Sequence, residues 1–168
     1  MSELQTIARQ RSDAAMILHI SAMPRDIKAL QQQLAAKGLL KSGNMLRGVL
    51  AIAQNALKGQ AATLVEHYTW AVTESLTATS SWVTTLSRQA ADSLQPLFDL
   101  GAQQIIAACA LAEQPNLADR LVNDLRATHS QEQTNIELAL QASFASKSRG
   151  LLRQLLAALK GLLPVGSK

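Results

Sequence analysis

The chain lacks most of what a catalytic, disulfide-stapled or membrane-spanning protein needs. Its single cysteine, Cys109, lies in an Ile-Ile-Ala-Ala-Cys-Ala stretch. No disulfide can form within the chain, and an apolar setting predicts a buried, inert thiol. Aromatic residues make up 3% of the sequence: Tyr68, Trp70, Trp82, Phe98 and Phe144. Strands favour aromatics and β-branched residues, so this scarcity argues against a sheet protein. The longest charge-free runs, Ser75–Ser87 and Leu100–Ala112, have 13 residues each. A spanning helix needs about 20 apolar residues, so neither qualifies. The first residues carry an acid and no apolar core of the signal-peptide kind. The expectation is a cytoplasmic chain, or one peripheral to a membrane.

Catalytic signatures are missing too. No G-x-S-x-G, H-E-x-x-H or S-x-x-K motif occurs. Gly43 and Gly48 have the spacing of a phosphate loop, but Val49 and Leu50 stand where Lys and Ser/Thr belong. The histidines are His19, His67 and His129. His129 and Glu132 fall one turn apart on a helix, yet a metal site needs at least three protein ligands and no second pair accompanies them. Solvated or capping histidines are the simpler reading. Ser and Thr crowd the stretch Thr69–Ser87 without an activating base beside them, which predicts hydroxyls bonded back to their own helix. The sequence therefore predicts no enzyme, no cofactor and no metal.

What is abundant is Ala, Leu and Gln, within a hydrophobic content of 48%. These are strong helix formers, and small Ala faces let helices approach closely. Leu46, Leu50, Ala53, Leu57, Ala61, Leu64, Tyr68, Val72, Leu76, Thr79, Val83, Leu86, Ala90, Leu94 and Leu97 follow one another at steps of three or four, the spacing of one helix face. The fold class expected is all-α: a single domain forming an elongated bundle of about five helices. Residues 1–38 hold two shorter helices. The first uses Leu4, Ile7, Arg11, Ala14, Ala15 and Leu18, and is broken at Pro24. The second uses Ile27, Leu30 and Leu34, and is stopped by Gly38. Residues 44–113 form a long segment weakened at Thr77–Ser81 and kinked or restarted at Pro96. Residues 116–163 form the last helix, and 164–168 a tail. The longest pair is expected to make an antiparallel hairpin around Gln114-Pro115-Asn116.

The net charge of +4 conceals segregation. Residues 1–60 carry eight Lys/Arg and three acids, residues 61–146 three Arg and nine acids, and residues 147–168 five Lys/Arg and no acid. In the last of these, Leu151, Leu152, Leu155, Leu156, Leu159, Leu162 and Leu163 form an apolar stripe, with Lys147, Arg149, Arg153 and Lys160 among its polar positions. A basic amphipathic helix of this kind suits an anionic membrane surface or an acidic protein partner, or else it closes the bundle against the acidic middle. The basic residues of the N-terminal third are scattered over several elements, which disfavours nucleic-acid binding. No small-molecule substrate is indicated. In composition the helices resemble phasins, which coat hydrophobic granules, and helical internal virion proteins of bacteriophages. That resemblance rests on no aligned motif and assigns no residue a role. The functional expectation is a self-associating helical scaffold or interaction protein. The alternatives are a peripheral membrane or lipid-surface protein and a virion structural component.

Overall fold

The computed structural model describes the backbone of residues 3–162 and the side chains of residues 3–150. Among these residues the protein is all-helical, with no strand. The elements are α1 (Glu3–Ala35), α2 (Gly43–Glu74), α3 (Ser80–Asp92), α4 (Gln95–Leu111), a single 3-10 turn (Pro115–Leu117) and α5 (Ala118–Leu162).

The helix ends follow local chemistry. Gly38, at φ 70°, closes α1: Leu39 N–H donates to Leu34 at 2.8 Å and Gly38 N–H to Ala35 at 3.0 Å. This is the left-handed C-terminal cap for which glycine is the least strained residue. Thr79 caps α3, its hydroxyl accepting from Trp82 N–H at 3.3 Å. Pro96 sits in the first turn of α4, where its missing N–H costs nothing.

Two expectations need correction. Pro24 does not divide residues 1–38 into two helices; α1 runs through it without interruption. The ring is on the exposed side, while Met23 and Ile27 are anchored in the core. Near the proline, side chains add bonds to neighbouring carbonyls, Arg25 Nε donating to Ser21 O at 3.2 Å and Ser21 Oγ to Leu18 O at 2.9 Å. Core burial of Met23 and Ile27 offsets the one backbone bond that the proline removes. The long 44–113 segment is in turn divided outright, at Ser75–Thr79 and again at Ser93–Leu94. The turn at 114–116 consequently joins the 17-residue α4, rather than a long partner, to the 45-residue α5.

Contacts fix the directions. Gly48 of α2 faces Leu30 of α1, and Gly59 faces His19, so these two helices run antiparallel. Gln54 bonds Thr128 at 3.0 Å, and Thr73 lies 3.4 Å from Ser143, so α2 and α5 run parallel. Phe98 stacks near His129 and Gly101 abuts Leu125, so α4 and α5 run antiparallel. Four of the five helices meet at Gly101: a Cβ there would lie 3.0 Å from Leu125 and 3.1 Å from Ala53, with Met23 at 4.0 Å. The core is mostly Leu, Ala, Ile and Val, drawn mainly from α2 to α5, and includes Leu57, Leu64, Leu86, Leu94, Leu97, Ile105, Leu125, Ile136 and Leu140, with Ala8, Met23 and Ile27 from α1. Almost every residue of the long seam is buried. The exposed exceptions are Leu76, 98% exposed, and Thr79, where the chain has left the helix, and Leu50 is half-buried.

α1 is the outlier. Its inward face is Gln5, Ala8, Ser12, Met23 and Ile27, not the expected Leu4-to-Leu18 side. Leu18 is 68% exposed and Ile17 66%. The helix leans on α2 along its length and on α4, but hardly touches α3.

Candidate functional site

The C-terminal segment is where the sequence placed the interaction residues, and Lys147 is the one with a defined structural setting. It is half-buried, and its ammonium donates to the carbonyls of Val72 at 3.0 Å, Thr73 at 2.7 Å and Ser75. These are the terminal carbonyls of α2, which have no acceptor role left inside the helix. A cation at this negative end also complements the helix dipole. Lys147 therefore fastens α5 to the end of α2. Arg149 is exposed. The backbone of α5 remains helical to Leu162, past the level of α2's last turn. The side chains of Leu151, Leu152, Arg153, Leu155, Leu156, Leu159, Lys160 and Leu162 lie outside the described ones, and Leu163 lies outside the described residues altogether.

The acidic middle has few ion-pair partners among the described residues. Among the described residues the ion pairs are Arg9–Asp13 at 3.6 Å and Lys41–Glu113. Of the nine acids between residues 61 and 146, Glu113 alone is in such a pair.

The histidines do not converge, and no group of three or more His, Cys, Asp or Glu able to hold a metal occurs among the described residues. His19 packs against Gly59. His67 Nδ1 lies 3.3 Å from Ser12 Oγ. His129 is 6% exposed, with its ring 5.0 Å from Phe98 and its Nε2 without a partner. Burial pushes its pKa down, against the upward pull of Asp99 and Asp92. Cys109 is buried and burial raises its thiol pKa, which removes the thiolate that reactivity requires. In the hydroxyl-rich belt, Thr73, Thr84 and Thr85 each donate to the carbonyl four residues back.

One concavity was not anticipated. Where α1 and α3 diverge, a groove opens between them, bridged midway by Gln5 Nε2 donating to Gln89 Oε1 at 3.0 Å. One half, about 450 Å³, is lined by Ser75, Thr77, Trp82, Thr85 and Leu86. The other, about 480 Å³, is lined by Arg9, Asp13, Leu64, Tyr68, Asp92 and Ser93. The signal for it was the polar inward position Gln5, which lines both halves of the groove.

No family model matches the chain, and neither curated proteins nor solved structures give a significant match. No helix among the described residues is long and apolar enough to cross a membrane.

Proposed function

We propose that the chain is a non-enzymatic helical scaffold, a bundle that self-associates by placing the acid-free segment 147–163 of one copy against the acidic middle of another. The observation that supports this reading is electrostatic. Eight acids between residues 61 and 146 have no cation within ion-pair distance among the described residues, while a segment with no acid at all extends past the end of α2. Unpaired charges of opposite sign on separate regions steer like copies together and fix their register.

Sedimentation velocity across ionic strength tests it. Screening lengths shrink from about 30 Å at 0.01 M salt to about 3 Å at 1 M. Assemblies at the low end should dissociate toward the high end. Replacing Arg149, Arg153 and Lys160 together by Glu should abolish them; Lys147 is left intact because it fastens α2. A strict monomer at low salt and high concentration refutes the proposal. If that monomer instead co-sediments with anionic vesicles, and Leu155→Asp with Leu159→Asp abolishes the binding, the stripe is a membrane-surface element.

A further inference from the structure

The groove between α1 and α3 has a chemistry of its own, separate from the C-terminal segment. Three observations define it. Asp92 is the last residue of α3, where the helix's own carbonyl ends already concentrate negative charge. An acid there is locally unfavourable, and no cation lies within ion-pair distance of it among the described residues. A local rule broken without internal compensation marks a functional position. Asp13 stands on the α1 wall and is only partly offset by Arg9 at 3.6 Å, so this half of the groove carries two carboxylates against one guanidinium.

The second observation is Tyr68. It is 5% exposed and lines the groove, yet its hydroxyl has no hydrogen-bond partner among the described residues. The ring is buried while the hydroxyl oxygen itself is not, so it opens into the groove. Burial, and then Asp13, push its pKa up while Arg9 opposes, so it stays a neutral phenol able to accept from a donor-rich ligand. Third, the groove continues past the Gln5–Gln89 bridge into an uncharged half floored by Leu86 and flanked by Trp82. From Trp82 to Ser93 the helical rise gives a length of about 16 Å.

We infer that this groove binds a small linear aliphatic polyamine. One primary ammonium sits between Asp92, Asp13 and the Tyr68 hydroxyl, and the methylene chain runs past the glutamine bridge toward Trp82. An ammonium supplies three donors and no acceptor, matching the two carboxylates and the phenol oxygen. Methylenes lie against Leu86 and the indole, and a second ammonium there meets the π-face.

The test is titration calorimetry of the full chain with spermidine at physiological ionic strength, alongside the fluorescence of a Trp70→Phe variant that leaves Trp82 as the reporter. Saturable binding with one site is expected. Asp92→Asn should weaken it roughly tenfold to a hundredfold, the scale of a charge-assisted hydrogen bond. Tyr68→Phe should weaken it by a smaller factor. Asp119→Asn, an equal charge change at the far end of the molecule, should leave it unaltered. Asp92→Asn removes an acid from a helix C-terminus, so circular dichroism should show it folded. Absence of saturable binding overturns the proposal, and so does equal weakening by Asp92→Asn and Asp119→Asn, which would mean diffuse attraction to an acidic surface. Both results are independent of self-association, which the sedimentation experiment reads separately.

Discussion

The two ends of the molecule are built from the same helices in different materials. At the closed end, Met23, Ala53, Gly101 and Leu125 come from separate arms and meet with no room for an added methyl. At the open end, the same α1 turns Gln5 and Ser12 inward, α2 contributes Gln60, and a groove separates α1 from α3. Gln60 is buried; its Nε2 donates to Ser12 O at 3.0 Å while its Oε1 has no partner. Apolar packing dominates the closed end, whereas the open end buries the amides Gln5 and Gln60 among its contacts.

Cavity mutants give the sharpest contrast. Leu125→Ala removes a fully buried side chain from the tight end and should lower the unfolding free energy by about 2–5 kcal/mol in urea denaturation. Leu64→Ala removes an equally buried leucine that borders the groove. Water can enter the space it leaves, so its cost should sit near the bottom of that range. Equal losses would erase the distinction between the ends. Next in size is Lys147→Met, which keeps the aliphatic stem but strips three carbonyls of their donor. It should cost about 1–3 kcal/mol and speed amide exchange in the last turn of α2 without touching the closed end.

A pH titration probes the α4–α5 contact. His129 has its folded pKa pushed below the ordinary value of 6.5, so the folded state binds fewer protons than the unfolded one. Stability is then fully present above 6.5 and is lost as pH falls from there through the lower folded value. His129→Leu should flatten that limb of the profile, and an unchanged acid limb would point to other groups. The smallest effect expected is Gln60→Leu. It replaces a half-satisfied buried amide by an apolar group of similar volume, and should change stability by less than about 1 kcal/mol or raise it slightly. A large loss would show that polar contacts hold the open end together after all.

The helical class and most of the core were legible because the seam from Leu46 to Leu97 repeats at helix spacing and is apolar throughout. On α1 the expected Ile27, Leu30 and Leu34 do face the core, but periodicity failed in its first half, whose buried positions include Gln5 and Ser12 while Ile17 and Leu18 are exposed. Pro24 misled for a related reason. Sequence reports the missing donor, but not the core contacts of Met23 and Ile27 that hold the helix on either side of it. Lys147 was read as part of an interaction stripe, since nothing in its neighbours reveals a helix end 72 to 75 residues away. The groove depends on two helices diverging, and a diverging pair leaves no periodic trace in either one.

The fastening of α2 by Lys147 also sets an order of events during synthesis. The carbonyl of Val72 precedes its ammonium partner by 75 residues. At about 5–20 residues per second, that interval is roughly 4–15 s of elongation. Through it the nascent α2 can pair with α1, already made, but its last turn stays frayed beside the fully exposed Leu76. The late arrival of one lysine is then what completes the helix on which every other arm rests.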